Sequence, residues 1–326
     1  MSTPTSLDLP DGVRPTTIRT GRGWFAALEA SPVSGACDRE PALLVPGYTG
    51  SKEDFLAIAG PLAGRGRTVV AIDMRGQFET PGSDDHEGYS PSALGADIAA
   101  LVDATGARHL LGHSYGGLIA REGLLGQAGP GTTGPAESGQ AGTPAPGGIA
   151  SFTLMSSGPS ALTGPREREL RAMLAALGAQ DGGVPSRAEL RASISALWQA
   201  HLKPQAEQAG VPGPIVAFLA RRMLSNDPNG LVLMARHLLT APDRTAELAR
   251  LGRIPMLVLY GENDNAWSPG AQRAMARRLG ARRVCIPAAA HSPAVEAPAA
   301  TAVALTRFWD EAEAAGAAQS RGSVGR

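Results

Sequence analysis

The chain of 326 residues is 43% hydrophobic and carries 30 basic against 30 acidic side chains, so it is long and apolar enough to bury a full layered core with an extra subdomain. Zero net charge gives no electrostatic reason to expect nucleic acid or an anionic membrane as a partner, and the basic residues, all arginine except Lys52 and Lys203, are scattered. No apolar run approaches bilayer-spanning length and Met1–Ser6 lacks a basic stretch followed by an apolar one, which sets the expectation of a cytoplasmic protein with no membrane partner.

Residues 1–15 read as a flexible N-terminal tail, and Thr17 to Ala30 as an opening antiparallel pair. Short apolar runs at Ala42–Val45, Thr68–Asp73, His109–Leu111, Ala150–Met155, Ile254–Tyr260 and Arg283–Pro287 read as successive sheet strands. Helical patterns alternate with them. Pro91–Asp103 places Leu94, Ile98 and Leu101 at helical spacing, with Ser90 as its cap and Pro91 in the first turn, and Thr301–Glu313 supplies a closing helix before a flexible tail at 316–326. This alternation predicts an α/β fold with a mostly parallel, doubly wound sheet that binds ligands at the carboxyl ends of its strands. Cys37 and Cys285, the latter placed in a core strand, are too few for a disulfide framework and are expected as free thiols.

Two segments interrupt the alternation. Residues 126–148 are almost wholly Gly, Pro, Ala, Thr, Ser and Gln, too poor in apolar surface to offset ordering entropy, and are expected to form a mobile insertion. Residues 159–251 hold no strand pattern but several helical ones, among them the capping box Ser186-Arg187-Ala188-Glu189. The core is thereby assigned to 16–158 and 252–315.

Gly112-His113-Ser114-Tyr115-Gly116-Gly117 lies between an apolar strand and an apolar helical start, the layout of a nucleophile elbow, in which small residues two positions either side let a strained turn close. A serine hydroxyl needs a base, and the base needs a carboxylate to hold its tautomer. Downstream, Gly261-Glu262-Asn263-Asp264 and Ala288-Ala289-Ala290-His291-Ser292-Pro293 each follow a predicted strand, giving the order Ser, acid, His. Two acids compete for the carboxylate role, Glu262 and Asp264. His113 adjoins the serine, where neighbouring side chains on a tight turn point apart, and is read as a packing or hydrogen-bonding residue. Asp84, Asp85, His86 and Glu87 lack the fixed spacing of a metal site and are read as a solvated loop. No phosphate-cradling glycine fingerprint follows a strand, so neither a cofactor nor a metal is implied.

These motifs, with Leu43-Leu44-Val45-Pro46-Gly47-Tyr48 as a fourth, resemble those of the α/β-hydrolase superfamily over most of the chain, from about Thr17 to Trp309. The resemblance implies the α/β-hydrolase fold with an inserted helical cap at 159–251, and a catalytic set of Ser114, Asp264 and His291, the aspartate preferred over Glu262 by its motif position. It implies an oxyanion hole from the backbone N–H groups of Tyr48 and Tyr115, acting on a small-molecule acyl substrate and water. The sequence departs from the pattern at Pro46, at Ala288–Ala290 where Gly-x-Gly is common, and at Phe78, which stands in place of a glycine and either edges the pocket or packs. The implied reaction is cleavage of a carboxylic ester or related acyl compound; the same triad also serves C–C bond hydrolysis and cofactor-free perhydrolysis, and some hydrolase folds only bind ligands. In the helical segment, Met223, Leu224, Leu231, Met234, Leu238 and Leu239 either line a pocket or pack, and Arg236 and His237 either meet substrate or face solvent.

Overall fold

Eight strands form one sheet: β1 (Val13–Thr20), β2 (Gly23–Ala30), β3 (Ala42–Val45), β4 (Val69–Ile72), β5 (His109–His113), β6 (Ser151–Met155), β7 (Met256–Gly261) and β8 (Arg282–Ile286). The computed structural model describes residues 2–128, 148–180, 182–252 and 254–323. Strand order is β1-β2-β4-β3-β5-β6-β7-β8. β2 pairs antiparallel with both β1 and β4, and every pairing from β4 to β8 is parallel. The central strands are buried on both faces, which is why they read as unbroken apolar runs, whereas the edge strand β8 alternates. That alternation leaves Cys285 exposed rather than in the core.

Successive side chains of a strand face opposite layers, and the core divides accordingly. Leu43, Val45, Leu110, Leu154 and Val258 join one apolar cluster, while Leu44, Leu111, Met155, Leu257 and Leu259 join the other. The helices of the sheet's flanks are α1 (Leu56–Ala63), α2 (Pro91–Thr105) and α3 (Tyr115–Gln127). Ser90 Oγ accepts from Ala93 N–H at 3.2 Å, the cap expected from sequence. Between β6 and β7 lie α4 (Pro165–Ala176), α5 (Arg187–Leu197), α6 (Lys203–Gln208), α7 (Gly213–Ser225), α8 (Pro228–Thr240) and α9 (Thr245–Arg250). The Ser186–Glu189 capping box opens α5. The chain closes with α10 (Pro269–Leu279), α11 (Pro293–Glu296) and α12 (Pro298–Ser323).

Three boundaries differ from the sequence reading. Residues 2–12 are not a free tail: the Ser2 carbonyl accepts from Arg222 Nη2 at 2.6 Å and Ser2 Oγ meets Ser292 Oγ at 2.8 Å, tying the segment to α7 and to the loop ahead of α11. Helix α12 continues through most of the stretch assigned to a C-terminal tail, to Ser323. Of the insertion at 126–148, Gly126 and Gln127 complete α3, and residues 129–147 lie outside the described residues.

At the amino ends of the strands, α12 is clamped to the sheet by buried charge. Arg67, with no exposed surface, donates to Glu313 and Asp310 at 2.7 Å each, and His109 bridges Ser151 Oγ at 2.8 Å to Glu313 Oε1 at 3.0 Å. The His109 ring stacks on Trp309, centroids 5.2 Å apart.

Candidate active site

Strand β5 ends at His113, helix α3 begins at Tyr115, and Ser114 between them holds φ 53° and ψ −122°. A side chain in that region is strained, and the turn closes only because its flanks are bare. A Cβ on Gly112 would sit 2.5 Å from the Gly116 carbonyl oxygen, and one on Gly116 would sit 2.3 Å from that of Pro46. The turn is held from the neighbouring strand by Ser114 N–H donating to Met155 O at 2.9 Å.

Loops from the ends of β7 and β8 bring the other two residues to the serine. His291 Nε2 lies 2.9 Å from Ser114 Oγ, and His291 Nδ1 lies 2.9 Å from Asp264 Oδ1. A carboxylate only accepts, so Nδ1 carries the proton and Nε2 turns its lone pair to the hydroxyl. Ser114 is 8% exposed and Asp264 5%, so the acid sits below the surface while the histidine ring stays partly open. Burial alone would raise the Asp264 pKa. The hydrogen bond and charge of His291, with the Ala266 N–H and the Gln272 amide, outweigh it and hold the carboxyl below the usual aspartate range. Glu262 does not join this chain of contacts: its Oε2 accepts from Ala288 N–H at 3.1 Å and braces the histidine loop.

His113 is neither base nor bystander. Burial, reinforced by the neighbouring His291, lowers its pKa to about 4, so the neutral ring donates from Nε2 to the His291 carbonyl at 2.7 Å. Glu296 accepts from the N–H groups of Ala290 and Ser292, either side of His291. Gln272, fully buried on α10, donates to Asp264 Oδ2 at 2.8 Å and to Trp267 O at 2.9 Å. Nothing in the sequence marks Gln272 beyond a polar residue on the inward side of an amphipathic helix.

The turn after β3 runs beside the serine, and a Cβ on Gly47 would come within 3.0 Å of Ser114 Cβ. Among the described residues neither the Tyr48 nor the Tyr115 N–H donates to a backbone carbonyl, and Tyr115 opens its helix, where such groups have no intrahelical partner. Both tyrosine side chains reach the inserted helices: Tyr48 Oη donates to Leu231 O on α8 at 2.9 Å, and Tyr115 Oη meets His237 Nδ1, also on α8, at 2.9 Å. Burial lowers the His237 pKa to about 4, so this bond is made by a neutral ring. His237 and Arg236 are both half-buried, Arg236 donating to Ala179 O at 2.9 Å. Met223, Leu231, Met234 and Leu238 are buried and Leu224 is exposed. Phe78 packs edge-on against Phe218 of α7, 5.6 Å between centroids, with Lys52 Nζ 4.6 Å from its ring.

Of the acidic loop, Asp85 Oδ1 caps its own turn through Glu87 N–H at 3.0 Å and Asp84 pairs with Arg187 at 3.2 Å. Among the described residues no group of three His, Cys, Asp or Glu side chains is placed to hold a metal ion, and no helix is long and apolar enough to cross a membrane.

Comparison with solved structures gives an esterase from Thermogutta terrifontis at TM-score 0.61 and 21% identity, covering 92% of this chain and 99% of that one. The enol-lactonase from Burkholderia xenovorans follows at TM-score 0.64 and 18% identity, covering 90% and 99%. An esterase from a Rhodococcus species gives 0.59 and 22%, covering 92% and 98%. At these identities the likeness establishes the fold. No curated protein sequence matches the chain. The alpha/beta hydrolase family profile matches residues 42–304, and with that match spanning the sheet from β3 to α12, the chain belongs to the alpha/beta hydrolase family and is a hydrolase.

Proposed function

We propose that the protein is a cofactor-independent serine hydrolase that cleaves a carboxylic ester or related acyl compound through an acyl-enzyme. The observation that carries this reading is the continuous chain Ser114 Oγ, His291 Nε2, His291 Nδ1, Asp264 Oδ1, with 2.9 Å at each contact. Ser114 Oγ attacks the acyl carbon as its proton passes to His291 Nε2, and Asp264 stabilises the imidazolium that forms. The carbonyl oxygen becomes an oxyanion facing the N–H groups of Tyr48 and Tyr115. His291 returns the proton to the departing alcohol; a water molecule then adds to the acyl carbon, gives its proton to His291, and the proton goes back to Ser114 as the acid leaves. The inserted helices α4–α9 act as a cap over this site, their α8 meeting both oxyanion residues.

Labelling with a fluorophosphonate probe tests the nucleophile. Wild-type protein should label at Ser114 and the Ser114→Ala protein should not, while Ser114→Ala or His291→Ala lowers turnover by roughly four to six orders of magnitude without loss of fold. Near-normal turnover in purified, folded Ser114→Ala would sink the mechanism.

A further inference from the structure

On the reading above, the peptide between Gly47 and Tyr48 presents its N–H to the developing oxyanion. A trans peptide holds its C=O and N–H in one plane, pointing in opposite directions, so whatever holds the Gly47 carbonyl also aims the Tyr48 N–H. Two donors hold that carbonyl: Gly50 N–H at 3.0 Å and Gln77 Nε2 at 2.9 Å. Gly50 belongs to the same turn and moves with the peptide it ties. Gln77 comes from the loop after β4, which has its own anchors.

Those anchors are specific. Gln77 N–H donates to Met74 O at 2.9 Å, and Met74 N–H donates to the Gln77 side-chain oxygen at 3.3 Å. With a carbonyl at one end of the amide and an N–H at the other, the orientation of the side chain is fixed by its partners. Gln77 is 2% exposed. Its loop is tied back to the oxyanion turn a second time, where Asp73 Oδ1 accepts from Lys52 N–H and Asp73 Oδ2 from Lys52 Nζ, each at 2.8 Å. The turn needs such outside restraint: Thr49, a β-branched residue, sits at φ 57°, in the region that favours glycine. It also has little slack, since a Cβ on Gly47 would lie 3.0 Å from Ser114 Cβ, tighter than ordinary side-chain contact.

We propose that Gln77 is a positioning residue for the oxyanion hole: its amide N–H holds the Gly47 carbonyl and so aims the Tyr48 N–H, without touching substrate. The proposal rests on the serine-hydrolase reading and concerns a stage of it that only the transition state samples. A glutamine that merely satisfied a buried carbonyl would cost stability when removed and leave the chemistry alone.

The Gln77→Met protein keeps the side chain's length and loses the donor. Its kcat should fall about 10- to 100-fold, short of the loss expected for deleting an oxyanion donor outright, while KM stays within about twofold. Affinity for a trifluoromethyl ketone, which adds to the serine and carries an oxyanion, should fall by the same factor as kcat. A folded Gln77→Met protein with kcat near wild type, or one whose loss lies in KM, overturns the proposal. If that variant does not fold, Gln77→Glu decides: a neutral carboxyl can donate to Gly47 and a carboxylate cannot, so its kcat relative to wild type should rise as pH falls. A ratio flat with pH overturns the proposal. Wild-type protein inert to fluorophosphonate and to every ester would remove the underlying reaction and this role with it, whereas a reactive wild type beside a fully active Gln77→Met protein would remove only the role of Gln77.

Discussion

Asp264 and Glu262 stand two residues apart on one turn, yet only one of them reaches the histidine. The difference is backbone direction: Asp264 N–H donates to Gly261 O at 3.1 Å, folding the turn so that its carboxylate points at His291 Nδ1, while Glu262 points toward Ala288. Asp264→Asn should therefore lower kcat by about four orders of magnitude, because an amide can present the wrong group to Nδ1 and favour the wrong tautomer. Glu262→Gln should cost no more than about tenfold; steady-state kinetics showing the reverse order in folded proteins would move the acid to Glu262. The buried histidines make a second test. His113 and His237 are held neutral to about pH 4, against an ordinary value of 6.5. The unfolded chain takes up protons as pH drops below 6.5 and the native protein does not until about 4, so their contribution is full above pH 6.5 and shrinks across that window. For His113 it is on the order of 3 kcal/mol. Urea midpoints should fall between pH 7 and 4.5, and fall less in His113→Gln; a flat profile would mean that neither ring is held neutral. That Ser114, Asp264 and His291 would meet was legible because each sits in a local pattern at a strand end. Gln272 and Gln77 were not, since a single glutamine has no sequence signature and its partners are set by the fold.

At the scale of elements, the strands were legible because central parallel strands are apolar on both faces, and α2 and α5 because their caps are local. The ends of the chain were misjudged for the opposite reason. What holds residues 2–12 is Arg222 and Ser292, each more than two hundred positions away, and what holds α12 is Arg67 and His109. Such long-range polar contacts leave no periodicity. The α12 clamp contrasts with the candidate active site, for Ser151, His109 and Glu313 form a serine, histidine, carboxylate chain of similar lengths. It lies at the amino ends of the strands, with His109 and Ser151 fully buried, and so serves to fasten a helix. Burial lowers the His109 pKa, and Arg67 lowers it further against the pull of Glu313. Removing Glu313 leaves the buried Arg67 guanidinium with Asp310 as its remaining ion-pair partner, beside the Glu40 carbonyl. Glu313→Ala should cost about 3 kcal/mol of stability, as for breaking one partner of a buried ion pair, with kcat per folded molecule unchanged. Chemical denaturation paired with active-site titration checks both halves; a stable variant with impaired turnover would tie the clamp to catalysis instead.

Across the whole molecule, strain and helical cover fall on the same edge. The non-glycine residues at positive φ among the described residues are Thr49, Phe78, Ser114, Ser156 and Ala288, and they lie in the connections leaving β3, β4, β5, β6 and β8. Backbone of this kind costs about 1–3 kcal/mol per residue and persists where surrounding packing over-determines it. The inserted helices supply much of that packing, through Phe218 on Phe78 and through α8 on Tyr48 and Tyr115. Read as a cap, the same helices limit what can reach the serine. Ser114 is 8% exposed, and Tyr48, beside it, meets α4 as well as α8, its hydroxyl 3.8 Å from Met173 Sδ. On that reading, an acyl pocket walled by these helices would reward hydrocarbon, at about 0.8 kcal/mol per buried methylene or roughly a fourfold gain in kcat/KM for each. It also stops rewarding it once the space is filled, because further methylenes must displace helices that hold the oxyanion loop. In a p-nitrophenyl ester series from acetate upward, kcat/KM should climb over the first few methylenes, peak at a modest acyl length and then fall. Continued improvement through palmitate would mean an open groove in place of a capped pocket, and absence of turnover with every ester would favour the other chemistries open to the same three residues.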